Sequence, residues 1–295
     1  QYIDMLALHG MNTLHWHLTD DQGWRIEIKK WPRLTQIGAW RERTVIGRNM
    51  GIFDNTRYGG YYTQQDIREI GRYAQERYVT IIPEIDMPGH MVAALTAYPE
   101  LGCTGGPYEV WGVWGVSDDI LCAGNPKVYG FLKDVFDEVM ALFPSDIIHV
   151  GGDEAPKVRW KECPRCQQKI RDEHLQGTEK HPAEELLQGY MVRYIEQYLA
   201  SKGRRLMGWD ELMDCDVAKT SLIMSWRDWS GSVDPATLGY PCVKTPNSTL
   251  YFDHYQIPQD TWSNTLLFGG NSSVEKVYNY EPAPDTLTPE QQQLV

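Results

Sequence analysis

Asp146-Ile-Ile-His-Val150 runs straight into Gly151-Gly152-Asp153-Glu154. An apolar, β-rich run that halts at glycines and two carboxylates reads as a buried strand with chemistry at its carboxyl end. The same event recurs outward in both directions. Thr13 to Thr19 alternates as a strand does and stops at Asp20. Val79 to Ile85 stops at Asp86-Met-Pro-Gly-His90. Arg204 to Trp209 meets Asp210 and Glu211, and Ser221 to Trp226 meets Arg227. Pro241 to Thr245 and Leu250 to Phe252 read as further short extended runs, the second ending at Asp253.

Helical patterns fill the gaps. Residues 1–11 look like a helix that Gly10 stops. Thr63 is a candidate N-cap, and Asp66 completes its capping box for a helix to Tyr78. Pro126 opens a helix to about Phe143, with Phe131, Val135, Phe136, Val139 and Leu142 along one side. Residues 157–177 and 183–201 read as two more. The stretch from Asp20 to about Tyr62 reads as a long loop, as does the Gly-rich segment after His90. Strand and helix in alternation imply a parallel sheet with right-handed crossovers. A doubly wound sheet gathers its chemistry at one switch point, whereas acids after at least five strands favour a barrel of βα units. No GxGxxG or GxxxxGK[ST] is present. No linker or repeat divides residues 1–295, which are read as one α/β barrel domain.

Composition narrows the function. The hydrophobic fraction is 42%, which excludes a disordered chain. No apolar run approaches the roughly 18 residues of a membrane helix. A net charge of −12 without a basic block argues against phosphate-backbone binding, so nucleic acid is not an expected partner. Trp (11) and Tyr (17) outnumber Phe (6), so the aromatic surface carries polar handles, which suits sugars as well as a Trp-built core.

Two adjacent carboxylates repel, so one tends towards a raised pKa and can act as an acid. Alone, Gly-Gly-Asp-Glu is equally an exposed acidic turn. The apolar strand before it and the acids on other strands point to a site containing Asp153 and Glu154. His90 after Asp86 is a second candidate, as a hydroxyl ligand or proton-relay member. His15 and His17 share a strand face and read as packed and hydrogen-bonded rather than metal-bound. Trp209 and Trp226 end neighbouring strands and suggest a walled pocket. Tyr251 and Asp253 would share one strand face, with the Tyr hydroxyl able to donate to a carbonyl. Ordinary retaining glycosidases take their two carboxyl groups from different strands, about 5–5.5 Å apart. A pair adjacent in sequence favours another division of labour. One carboxyl protonates the leaving oxygen, and the other orients a substrate amide that attacks the anomeric carbon.

Six cysteines permit disulfides without showing them. Cys103 and Cys122 bracket a Gly- and Trp-rich loop, where a loop-closing bridge is plausible. Cys163-Pro-Arg-Cys166 supplies half of a zinc site, and no second CxxC follows. A local structural pair ranks first, a metal second and a redox motif last.

Six motifs occur in order: His15-Trp-His-Leu-Thr-Asp-Asp-Gln-Gly-Trp-Arg25, Glu84-Ile-Asp-Met-Pro-Gly-His90, His149-Val-Gly-Gly-Asp-Glu154, Gly208-Trp-Asp-Glu211, Ser225-Trp-Arg227 and Tyr251-Phe-Asp253. Together they resemble the catalytic domain of glycoside hydrolase family 20, the exo-β-N-acetylhexosaminidases, bacterial members above all. The resemblance implies a TIM barrel and retaining, substrate-assisted hydrolysis, an exception to the two-carboxylate scheme. It implies Glu154 as general acid and then base, and Asp153 as holder of the 2-acetamido N–H. It places Tyr251 on the acetamide carbonyl oxygen, with Trp209 and Trp226 as walls of the N-acetyl pocket. Asp20 is implied as a support beside Asp153, and Asp86 and His90 as a pair assisting the acid; His149, in the same motif as the acid, is a further candidate substrate-binding residue. No metal or organic cofactor is implied. The family's early sugar-gripping Arg and its late Trp-x-Glu are not found, so the barrel is expected to be incomplete in this chain. The expected partner is a glycan, chitooligosaccharide or glycoconjugate, and polysaccharide substrates with six cysteines favour an exported protein. Alternatives are release of a disaccharide such as lacto-N-biose, shaped by the Trp111–Trp114 loop, or a catalytically impaired carbohydrate-binding protein. The family 18 chitinase motif DxxDxDxE is absent.

Overall fold

Six strands form one all-parallel sheet in strict chain order: β1 (Thr13–His17), β2 (Thr80–Glu84), β3 (Ile147–His149), β4 (Arg205–Trp209), β5 (Leu222–Ser225) and β6 (Cys242–Lys244). The computed structural model describes residues 1–47, 51–179, 181–227, 234–257 and 270–295. Neighbours in space are neighbours in sequence, the order a (β/α) barrel requires and a doubly wound sheet violates. The chain thus carries an incomplete TIM-type barrel.

Register decides which side chains meet. His17 pairs with Glu84, Glu84 with His149, His149 with Met207, and Trp209 with Met224. Side chains alternate along a strand. One face therefore joins Ile82, Met207 and Met224 in a small apolar cluster that Ile147, Trp209 and Leu222 pack against. The other face sends Ile81, Ile148, Leu206 and Ile223 into the main core with the helices. The helix Pro126–Leu142 buries Phe131, Val135, Phe136, Val139 and Leu142 there, as its period predicts. The helix Ala183–Ser201 adds Leu187, Met191, Val192, Ile195 and Leu199.

Thr63 caps the helix Gln64–Gln75 with the capping box to Asp66 complete. Other segments depart from expectation. The helix expected over 157–177 is two, Val158–Glu162 and Pro164–Asp172, broken at Cys163, whose backbone is extended. Pro164 forces that break, because its ring bars the preceding residue from the helical region. The loop after His90 contains a buried helix, Val92–Ala97, rich in Ala and without a polar stripe to reveal it. The long loop from Asp20 folds into two antiparallel ribbons, Thr19–Asp20 with Gly23–Trp24 and Trp40–Arg41 with Tyr58–Gly59. The extended run expected at Leu250–Phe252 is absent. Asn247–Leu250 is a short helix and Tyr251 leaves its end, so Tyr251 and Asp253 do not share a strand face. No described helix is long and apolar enough to cross a membrane.

Candidate active site

The glycines after β3 set the geometry. Gly151 and Gly152 have φ of +68° and +108°, and Glu154 itself sits at +43°. This left-handed path swings Asp153 and Glu154 to the sheet's carboxyl edge together, which a straight strand cannot do. A Cβ on Gly151 would run into the Asp86 carboxylate. Asp86 Oδ1 accepts from the Gly152 amide at 3.1 Å, and the Gly151 carbonyl accepts from the Trp209 amide at 2.9 Å.

His90 joins the groups. Its Nδ1 lies 3.1 Å from both Asp20 Oδ1 and Asp21 Oδ2. Its Nε2 lies 3.3 Å from Glu154 Oε2 and 3.6 Å from Asp153 Oδ2. Burial opposes charge on His90, but the carboxylates of Asp153, Asp20, Asp21 and Glu154 outweigh it and raise its pKa. The imidazolium thus presents an N–H to the Asp153–Glu154 side. Asp20 is desolvated too, yet His17 and His90 hold its pKa well below the ordinary range. Asp86 is buried beside the negative Asp153 and Glu84, which raises its pKa well above the ordinary value. Asp153 Oδ1 is buried and has no hydrogen-bond partner among the described residues.

Beneath this layer, Glu84 is fully buried. His15 Nε2 and His17 Nδ1 each lie 2.8 Å from its Oε2. His149 Nδ1 lies 3.2 Å from Oε1, and the Trp209 indole donates to Oε1 at 3.0 Å. Burial opposes the Glu84 charge, but His149 and His17 hold its pKa well below normal. Burial raises the His17 penalty likewise, and Glu84 and Asp20 overcome it to raise that pKa. His149 is held below its ordinary value by burial. Charges alternate along Glu84, His17, Asp20 and His90. A cleft of about 540 Å³ opens above, lined by Asp20, Gln22, Arg41, His90, Trp114 and Glu154, among others.

The family model for the glycosyl hydrolase family 20 catalytic domain matches residues 1–295. The chain belongs to glycosyl hydrolase family 20. It is 43% identical over its whole length to a beta-hexosaminidase of Porphyromonas gingivalis, covering 36% of that protein. It is 39% identical to a beta-hexosaminidase of Vibrio furnissii over 95% of this chain and 45% of that one. The chain thus spans less than half the length of these relatives. A solved family 20 exo beta-N-acetylglucosaminidase of Vibrio harveyi, in complex with N-acetylglucosamine, superposes with a TM-score of 0.79 at 32% identity, covering 99% of this chain and 45% of that one.

Within this family 20 fold, the structure brings Asp20, Asp86, His90, Asp153 and Glu154 together. His149 and Trp209 lie one layer below, their rings 4.9 Å apart. Trp226 donates to Glu211 Oε2 at 3.2 Å. Tyr251 is partly buried, and desolvation with the charges of Asp153 and Asp253 raises its pKa, so its hydroxyl keeps its proton at pH 7. Sequence reading missed Asp21, which is fully buried and also accepts from the Val92 amide at 3.0 Å. It sits in the quoted Thr19-Asp20-Asp21 stretch, but alternation on a strand assigns it to the opposite face. The two-residue turn after Asp20 reverses that assignment. Glu84 and Glu211 were also missed as members of the charge network.

Proposed function

We propose that this chain is the catalytic part of an exo-acting β-N-acetylhexosaminidase that removes non-reducing-end β-linked GlcNAc or GalNAc with retention of configuration. The carrying observation is the buried Asp153 Oδ1 without a partner, next to a half-exposed Glu154 on the cleft. An unpaired buried carboxylate oxygen costs free energy until a donor arrives. A substrate 2-acetamido N–H is such a donor. In this reading Asp153 orients the amide, and its carbonyl oxygen attacks C1 as the glycosidic bond breaks. Glu154 gives its proton to the departing oxygen. In the same reading Tyr251 donates to the amide carbonyl, and Trp209 and Trp226 are the walls of the N-acetyl pocket. Water then adds to C1 of the oxazolinium while the Glu154 carboxylate takes its proton. The amide is released unchanged, so the cycle closes without cofactor. His90 supplies a fixed positive charge near both carboxyl groups. Substrates are glycans, chitooligosaccharides or glycoconjugates met outside the cell.

The test is hydrolysis of aryl N-acetyl-β-glucosaminides that differ in leaving group. General-acid loss in Glu154→Gln lowers kcat by about 10²–10⁴-fold for a poor leaving group and far less for an activated one. Wild-type turnover of the poor substrate by this variant would contradict the assignment.

A further inference from the structure

Four of the six cysteines converge away from the cleft. Cys103, Cys122, Cys163 and Cys166 have sulfurs that all lie within 4.8 Å of one another. Three separations are 3.8 Å (Cys103–Cys166), 3.7 Å (Cys122–Cys163) and 3.6 Å (Cys122–Cys166). Zinc–thiolate bonds of about 2.3 Å arranged tetrahedrally give sulfur–sulfur edges of about 3.8 Å. Sulfurs in a disulfide sit at about 2.05 Å. All four cysteines are free in the structure, so the expected local Cys103–Cys122 bridge gives way to a four-sulfur cluster. From these distances we propose a closed, structural Zn²⁺ site with four thiolate ligands.

Local folding builds the cluster from two halves. Pro164 opens the helix Pro164–Asp172 with Cys163 at its N-cap, so Cys163 and Cys166 turn towards one point. Gly102 bridges Leu121 in an antiparallel pair, and the Cys122 amide donates to the Leu101 carbonyl at 2.8 Å. That pairing sets Cys103 beside Cys122. Gly124 seats the halves against each other, because a Cβ there would collide with the backbone of Arg165 and Cys166. Cys122, Cys163 and Cys166 are buried, which suits a closed site without a water ligand. Four thiolates and Zn²⁺ leave two negative charges. Arg165 is placed against them, donating to the Gly102 carbonyl at 2.9 Å. Binding releases four thiol protons and forms four Zn–S bonds, with no redox change.

The position gives the ion a task. Residues 104–121, tied at both ends by this cluster, include Trp114 and other residues of the cleft wall. The same loop is pinned by the Leu121 amide on the Pro88 carbonyl at 3.0 Å, two residues before His90. The Trp160 indole donates to the Leu121 carbonyl at 2.9 Å, from the helix that follows Glu154. Zinc thus staples the cleft loop to the segments carrying His90 and Glu154.

Metal content and thiol titration test this on protein purified without chelator or reductant. One zinc per chain by elemental mass spectrometry, with all six cysteines titrating after denaturation in chelator, supports the site. Two titrating thiols and no zinc would mean two disulfides and overturn it. Six thiols without zinc would overturn it as well, and iron in place of zinc would overturn the ion's identity. Cys122→Ser should lose the zinc, while Cys215→Ser, at a buried cysteine outside the cluster, should keep it. Should Cys122→Ser fail to fold, the wild-type metal and thiol counts still decide.

Discussion

His90 Nε2 lies 3.3 Å from Glu154 Oε2, while the other ring nitrogen is held by Asp20 and Asp21 at 3.1 Å. One imidazolium therefore fixes the acid's surroundings from a buried anchor. His90→Leu leaves Asp21 buried without its counter-charge, and breaking one partner of such a set costs about 3–5 kcal/mol. The folded His90 pKa is raised, so its contribution is fully present below the unfolded value of about 6.5 and fades as pH rises through the folded value. Asp20 has the opposite sign. Its pKa is depressed, so its contribution is present above about pH 4 and is lost as pH falls through the folded value. Urea unfolding of wild type, His90→Leu and Asp20→Asn from pH 2 to 10 follows the two dependences. A His90→Leu penalty equal at pH 6 and pH 10 would remove the charge-pair explanation.

Glu211 titrates near neutrality. Burial raises its carboxyl pKa to about 7, with Arg227 opposing and Asp210 reinforcing the shift. A raised carboxyl pKa favours the folded state while the group is protonated. Stability therefore declines as pH rises from the unfolded value, about 4.3, through about 7. Glu211→Gln keeps a partner for Trp226 Nε1 and removes that slope. Its melting temperature should match wild type near pH 5 and exceed it at pH 8. No pH dependence of the difference would show that Glu211 is ionised throughout.

The Gly151 position admits no side chain. Gly151→Ala places a Cβ against Asp86 on a backbone at φ +68°. The left-handed conformation alone costs about 1 kcal/mol for a non-glycine residue, and the collision adds to it. The displaced Asp86 also loses the Gly152 amide. Activity should fall more than stability, because the shift falls two residues from Asp153. A variant with unchanged kcat/KM would mean that the turn relaxes without moving Asp153.

Much of this was legible beforehand for identifiable reasons. Strand-end acids signal a barrel because parallel crossovers force all carboxyl ends to one rim, and the six-strand order follows. The helices at 64–75 and 126–142 carried their own caps and apolar stripes. Other features depend on contacts between distant segments. Glu84 reads as a strand residue until register sets His17 and His149 beside it. Asp21 changes face through a turn of two residues. Tyr251 leaves the expected strand because Pro246 precedes a helical turn. The cysteine cluster was only half visible, as the Cys163–Cys166 pair, for the same reason. Its halves lie about forty to sixty residues apart and meet only through packing of the loop on the helix.

The most direct measurement compares hydrolysis of an aryl N-acetyl-β-glucosaminide with that of the matching plain β-glucoside, by wild type and by Asp153→Asn. If Asp153 aligns an attacking acetamide, the glucoside is nearly inert with wild type, and Asp153→Asn loses most of its kcat on the N-acetyl substrate. Comparable wild-type rates on the two sugars would contradict the amide's role and, with it, the central reading of the unpaired Asp153 oxygen.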